Sequence, residues 1–413
     1  MQLFGNNGNN ELIGSELEDQ IHGGKGSDTL DGQDGNDFLK GGTYRDSLLG
    51  GAGNDTLFGG YDADTMLGGA GDDIYAVNDL FDRVVELDGE GIDTVFASTT
   101  YVMETGVERA FLTGNMGNSL YGNNSANELF GNNGSNVLLG QDGNDTLVGR
   151  DGEDMLDGGA GNDVLRGGLG SDVYQVTAGD VIHEYVGGAA GGIDEVYANT
   201  SWSLLGNFNI EHLFITSGLD ATAIGNAADN LLSTGSGNDR LYGGYGIDTL
   251  VGGDGDDLLD GGKGGDVMAG GRGNDTYFVN SPLDLISETP GEGNDTVNVW
   301  HASYTLQTAF ENLTLLGNSF AGNGNAQANL IHGSERNNLL HGGGGSDSIY
   351  GLNGNDTING GFGNDLLDGG AGFDRFVFDT TLNETTNVDT IQGFVAGDDV
   401  IALSRSVFTT LSP

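Results

Sequence analysis

The sequence predicts an all-β fold, a right-handed parallel β-roll or β-helix solenoid made of short stacked coils. Three observations carry that expectation. Glycine supplies 79 of the 413 residues, where an ordinary chain has about 7%. Acidic residues outnumber basic ones by 62 to 13, a formal charge of −49. Aspartate recurs at every ninth place in four separate blocks, each time with a large apolar residue two places after it.

The composition excludes several classes at once. Glycine does not recur every third residue over any long run and proline is scarce at 3 residues, so a collagen helix is ruled out. Apolar residues make up 36% of the chain and are spread evenly, which allows a core, although a thin one. Cysteine is absent, and disulfides and thiolate metal sites with it. A face basic enough for nucleic acid is missing and an anionic membrane surface would repel the chain, so its natural partners are cations. No run of 18 apolar residues suggests a transmembrane helix. Met1-Gln2-Leu3-Phe4-Gly5 has no basic segment leading into an apolar run, so a chain that leaves the cell is expected to do so without a cleaved N-terminal signal.

Written in rows of nine from Gly14, the first block aligns Asp19, Asp28, Asp37, Asp46, Asp55, Asp64 and Asp73, with Ile21, Leu30, Leu39, Leu48, Leu57, Met66 and Tyr75 two columns on. Each row reads Gly-Gly-x-Gly-x-Asp-x-(large apolar)-x. A second block holds Asp145, Asp154, Asp163 and Asp172, a third Asp239, Asp248, Asp257, Asp266 and Asp275, and a fourth Asp347, Asp356, Asp365 and Asp374. Asn127 and Asn136, Asn230, and Asn329 and Asn338 open blocks two to four at the aspartate position, and Asn10 precedes the first. The segments between blocks also resemble one another. Each has an aspartate (Asp93, Asp194, Asp295) with valine two places on, then a glutamate (Glu108, Glu211, Glu311) before an apolar strand. The chain is thus about four copies of a unit of roughly 100 residues. The expected organisation is block one at 5–76, a connecting segment at 77–113, block two at 114–175, a segment at 176–224, block three at 225–278, a segment at 279–323, block four at 324–377 and a closing segment at 378–413.

The nonapeptide has a physical reading of its own. Glycines at its first, second and fourth places allow a tight six-residue turn, and the remaining three residues suit a very short strand with one inward apolar side chain. Two nonapeptides make a coil of 18 residues, one strand on each side, and neighbouring coils bury each other's apolar row. Stacking brings aspartates 18 residues apart to about the 4.7–4.9 Å strand spacing, where each pair repels by on the order of 1–3 kcal/mol. There are 12 such pairs, enough to offset a typical folding stability of about 5–15 kcal/mol. A hard divalent cation neutralises them, and calcium fits best because its flexible shell of 6–8 oxygens suits carboxylates and turn carbonyls. The expected metal-binding residues are the 20 aspartates of the column, with roughly 12 or more calcium ions. A neutral amide leaves the asparagine turns with one carboxylate, and the sequence supports ion-bound and ion-free readings of them equally.

Gly23-Gly24-Lys25-Gly26-Ser27-Asp28-Thr29-Leu30-Asp31 and Gly50-Gly51-Ala52-Gly53-Asn54-Asp55-Thr56-Leu57-Phe58 resemble, without a mismatch, the nonapeptide of the repeats-in-toxin (RTX), hemolysin-type calcium-binding family. The resemblance covers nearly the whole chain. It implies a parallel β-roll with calcium at the turns, an extracellular location, and export by a type I apparatus reading an uncleaved C-terminal signal. Phe373-Asp374-Arg375-Phe376-Val377-Phe378, Asp389-Thr390-Ile391 and Gly397-Asp398-Asp399-Val400-Ile401 resemble the segment that closes such rolls, so 378–413 is expected to be a cap and secretion signal. Its end, Thr410-Leu411-Ser412-Pro413, departs from members that finish on an acidic residue and an apolar tail.

Other motifs read as structure. His183-Glu184 begins like a zinc-protease helix, but Gly187 stands where the second histidine is required. No Gly-x-Ser-x-Gly elbow and no phosphate-binding Gly-x-x-x-x-Gly-Lys occurs. His332 and His341 fall at outward places on opposite sides of a coil, and Asn54-Asp55-Thr56 matches a glycosylation acceptor only because it follows the turn. Trp202, Trp300, Tyr197 and Phe214 are expected to pack the core between blocks, with a carbohydrate-binding surface as the lesser reading. Lys25, Asp34, Thr43, Ala52, Tyr61 and Ala70 at the third place form no threonine ladder, which sets ice binding aside. The function expected is a secreted calcium-binding protein that folds on meeting extracellular calcium and has a structural or adhesive role, without catalysis. Its expected partners are calcium, the type I apparatus and a cell-surface or polysaccharide ligand. The alternative is the C-terminal export and folding segment of a larger secreted enzyme or toxin.

Overall fold

The structure, a computed structural model, describes residues 1–184, 191–207, 209–381 and 383–409. No helix occurs among them, and the named strands pair in parallel throughout. Gly187 and the terminal Thr410-Leu411-Ser412-Pro413 lie outside the described residues.

Strand register gives the coil directly. Leu39 pairs with Ile21 on one side and Leu57 on the other, while Leu48 pairs with Leu30 and Met66. Partners are 18 residues apart, so consecutive nonapeptides fall in different sheets and every second one stacks. His332 and His341 accordingly sit in different sheets, half-buried, beside Tyr350 and Asn359.

Alternation along each short strand then sorts the side chains. In Thr56–Tyr61 the residue Leu57 points in and is fully buried, whereas its neighbours Thr56 and Phe58 face outward. The inward column of the first block, Ile21 to Tyr75, is at most 1% exposed. Each such leucine contributes about 1.5–3 kcal/mol by leaving water.

Many strands are twice as long as the three residues expected. Gln20–Lys25, Thr29–Asp34 and Phe38–Thr43 each run on through the first two places of the next nonapeptide, Gly-Gly or in the second strand Gly32-Gln33, to its third. The second glycine turns the chain through a positive φ, yet Gly24 and Gly42 stay paired with each other across the coils. The coil imposes this path: Gln33, in the same place, adopts φ 75° and still pairs with Gly51. A bend and a ladder therefore coexist at one residue, which the strand-or-turn reading of the sequence did not allow.

The chain forms two compact units, Met1–Asn199 with Asn207–His212, and Thr200–Gly206 with Leu213–Pro413. In the first, eleven strands from Gln2–Phe4 to Val181–Ile182 make one sheet. The intervening strands make five-stranded pairing from Glu11–Ile13 to Arg83–Val85 and then a second set beginning at Tyr101–Val102. The second unit repeats the plan, with one eleven-stranded sheet from Trp202–Ser203 to Thr390–Gln392 and alternate strands between.

The aromatic residues expected to pack between blocks do not enter the core. Trp300 is 51% exposed, and Trp202, Tyr197 and Phe214 are half-buried. Strand alternation is the reason: Val196 and Ala198 take the inward places around Tyr197, as Leu213 and Ile215 do around Phe214.

Candidate metal centres in the turns

Each turn is anchored by its aspartate. All 20 aspartates of the column are buried, none more than 4% exposed. One carboxylate oxygen, Oδ1, accepts the backbone N–H of the residue one coil earlier. Asp37 N donates to Asp55 Oδ1 at 2.7 Å, and Asp19 N donates to Asp37 Oδ1 at 2.8 Å. The 12 pairs spaced by 18 residues all meet in this way, at 2.7–2.9 Å. No such bond links Asp37 to Asp46, nine residues away, because they lie on opposite sides of the coil.

The second oxygen has no protein partner. Oδ2 of Asp28, Asp37, Asp46, Asp55, Asp64 and Asp73 is buried and accepts no hydrogen bond, and the same is true through Asp145–Asp172, Asp248–Asp275 and Asp347–Asp374 in the column. Asp19 is the exception with an understood cause, since the amino group of Met1 and Ser15 take its two oxygens. Asp239 accepts Ala221 N at 2.7 Å and is not among the orphaned acceptors.

The orphaned oxygens face a common kind of space. A Cβ added to Gly50 would strike Asp55 Oδ2 and come within 2.6 Å of the carbonyl oxygen of Gly68, one coil on. Gly32 is enclosed likewise by Asp37 Oδ2 and Gly50 O, and Gly243 by Asp248 Oδ2 and Gly261 O. Glycine is needed here for room, so that a carboxylate oxygen of one coil and a backbone carbonyl of the next can converge. Buried oxygen acceptors with no donor between them are what a hard cation requires.

Electrostatics agree with that assignment. Burial pushes the carboxyl of Asp55 up to about 7; the N–H of Asp37 pulls the other way, and the Asp37 carboxylate adds to the rise. Asp73, Asp145, Asp257 and Asp356 are also raised to about 7, each first by burial. Protons and cations therefore compete for the same oxygens.

The asparagine turns pair their side chains with the backbone. Asn127 Oδ1 accepts Asn123 N at 2.7 Å and its Nδ2 donates to Val107 O at 3.2 Å. Asn136, Asn329 and Asn338 repeat the arrangement, donating to Asn118 O, Glu311 O and Ser319 O. Beside the turn glycine, where aspartate has a bare Oδ2, each of these asparagines has an amide oxygen that accepts the N–H four residues back.

The column also runs further than the nonapeptides. Asp82, Asp180 and Asp284 accept Asp64 N, Asp163 N and Asp266 N at 3.0–3.1 Å, and Asp93, Asp194 and Asp295 accept Asp73 N, Asp172 N and Asp275 N at 2.8 Å. Glu108, Glu211 and Glu311 follow one coil later, and Asp389 and Asp399 continue block four. Counting nine onward from Asp73 and Asp275 would have found Asp82 and Asp284. The others stand out of register because the coils between blocks change length.

Comparison with known proteins agrees with this geometry. A family model described as the RTX calcium-binding nonapeptide repeat, in four copies, matches residues 4–39, 40–75, 112–147, 139–174, 217–244, 242–277, 323–358 and 341–376, more than half of the chain. Over 57 residues the chain is 44% identical to the endo-1,3-1,4-beta-glycanase EglC of Rhizobium meliloti (strain 1021). That match takes in 14% of this chain and 12% of the glycanase, well under two thirds of its length.

Proposed function

Because the chain belongs to the RTX calcium-binding nonapeptide repeat family, we propose that it is a secreted protein whose buried turn aspartates bind calcium, on the order of twelve ions or more. In this reading calcium completes the fold outside the cell, and the protein has a structural or adhesive role without catalysis of its own. The observation that carries it is the row of buried, unpartnered Oδ2 atoms facing glycine carbonyls. Calcium supplies the positive charge and the flexible oxygen shell those atoms lack. Export through a type I apparatus is supported by the family and by the scarcity of calcium inside cells, which leaves the chain unfolded until it is outside. Adhesion to a surface or polysaccharide is supported by outward aromatic rows such as Phe96, Phe111 and Phe130, whose rings stack at 5.2 and 4.4 Å. No helix among the described residues is long and apolar enough to cross a membrane.

One experiment addresses both halves. Expressed beside a type I exporter in medium with millimolar calcium, the chain should be recovered outside the cell carrying on the order of ten calcium ions by metal analysis. Retention inside despite the exporter contradicts export, and recovery free of calcium contradicts the binding reading. The short match to a glycanase favours a second reading, in which this chain is the folding and export segment of a larger secreted enzyme or toxin. The coding sequence upstream of Met1 decides that point: a continuous frame with a catalytic domain supports it, and a stop codon contradicts it.

A further inference from the structure

We propose that Asp73, Glu86 and Asp93, with the hydroxyl of Tyr75, form a calcium-type cation site unlike the nonapeptide turns, and that Asp172, Glu184, Asp194 with Tyr174 and Asp275, Glu288, Asp295 with Tyr277 repeat it. The inference deepens the calcium-binding reading and rests on it. Glu86 stands 18 residues after Gly68, where a further nonapeptide would have its first glycine, and Glu288 stands likewise after Gly270. A side chain thus arrives where the earlier turns present a backbone carbonyl.

Carboxylate oxygens of Asp73, Glu86 and Asp93 lie within 4.8 Å of one another, as do those of Asp275, Glu288 and Asp295. Asp73, Glu86 and Asp93 are at most 6% exposed, and Asp73 Oδ2, Glu86 Oε2 and Asp93 Oδ2 have no partner. No Lys, Arg or His pairs with either trio among the described residues.

A separate observation points the same way. The hydroxyl of Tyr75 is fully buried and unpartnered, and it shares with Asp73 Oδ2 the small space over Gly68 that a Cβ would fill. Tyr174 donates to Glu184 Oε2 at 2.5 Å and Tyr277 to Glu288 Oε1, so the same ring oxygen reaches the same glutamate in the other two blocks. Tyrosine takes the inward apolar place only in the last nonapeptide of these three blocks. Block four has Phe376 there, and its strand register brings Gly393 to the place of the glutamate, so it carries no such site.

Three converging carboxylates, as in Asp73, Glu86 and Asp93 and in Asp275, Glu288 and Asp295, make a more anionic donor set than one orphaned oxygen and a carbonyl, and calcium affinity rises with ligand charge. Block two is joined to them by the Tyr174–Glu184 bond and the bare Oδ2 atoms of Asp172 and Asp194. Without a cation, burial and the neighbouring Asp93 and Asp73 carboxylates push Glu86 up to about 8. These three sites should fill first and end the ion rows of blocks one to three.

The test uses the full chain with Glu86→Gln, Glu184→Gln and Glu288→Gln combined, and bound calcium counted by equilibrium dialysis. Three fewer ions per chain than the unaltered protein is the expected result. An unchanged count overturns the proposal and means the trios share protons instead. An unaltered chain that binds no calcium overturns the calcium-binding reading itself, so the two failures are distinct. Should the triple variant fail to fold in calcium, the unaltered chain and its Tyr75→Phe, Tyr174→Phe, Tyr277→Phe variant are titrated with terbium alone. Tyrosine-sensitised emission should rise over the first three equivalents and be lost in the variant; equal emission from both contradicts the site.

Discussion

Asp55 meets two requirements with one side chain. Its Oδ1 holds the N–H of Asp37, and its Oδ2 remains bare beside Gly50. Asparagine divides the two places differently: in Asn127 the amide oxygen beside Gly122 accepts Asn123 N, and the amide nitrogen reaches back to Val107 O, so no bare charge is left. Asp55→Asn should therefore change stability in opposite directions. Without calcium it removes a buried unpaired charge and should raise unfolding stability by on the order of 1–3 kcal/mol. With calcium it removes a ligand and should lower stability by a similar amount. Urea unfolding of both chains, with and without a chelator, checks the pair of signs; the same sign in both conditions would contradict the role given to Oδ2. At this scale the sequence was most informative. Column position alone marks Asp55 as a buried turn residue, whereas Glu86 falls at a glycine place of the period, outside the aspartate column, and is found only because the fold sets it over Gly68 beside Asp73 and Asp93.

Nine-residue spacing and 18-residue stacking are separable at the level of the coil. The structure pairs Asp37 with Asp19 and Asp55, and puts Asp46 with Asp28 and Asp64. In calcium titrations by calorimetry, Asp37→Ala with Asp55→Ala should depart from additivity, because one neighbourhood is lost twice. Asp37→Ala with Asp46→Ala should be nearer additive, although these two are closer in sequence. Stronger coupling in the second pair would contradict the two-sided coil. The alternation of sheets was legible because an inward apolar residue every ninth place leaves one way to stack. Strand length was not, since a glycine at φ 126° such as Gly42 still pairs across the coils. The exposed Trp300 was also hidden, as residue type suggests burial and only strand alternation assigns the outward face.

For the whole chain, a charge of −49 and a pI near 4.1 describe a molecule whose ion-free fold opposes itself. Asp55, Asp73, Asp145 and Asp257 are raised from 3.8 to about 7 in the folded state. A carboxyl raised on folding binds its proton more tightly when folded, so the stabilisation is full below about pH 4 and is lost as pH rises through about 7. Calcium reverses the dependence, because it needs the deprotonated oxygens. Circular dichroism at pH 8 and pH 5, with millimolar calcium or with a chelator, tests the account most directly. At pH 8 the chelated chain should be largely disordered and should gain β-structure on adding calcium. At pH 5 the chelated chain should recover part of that structure, and more calcium should be needed to complete it. A β-rich spectrum at pH 8 that chelation leaves unchanged would contradict calcium-coupled folding.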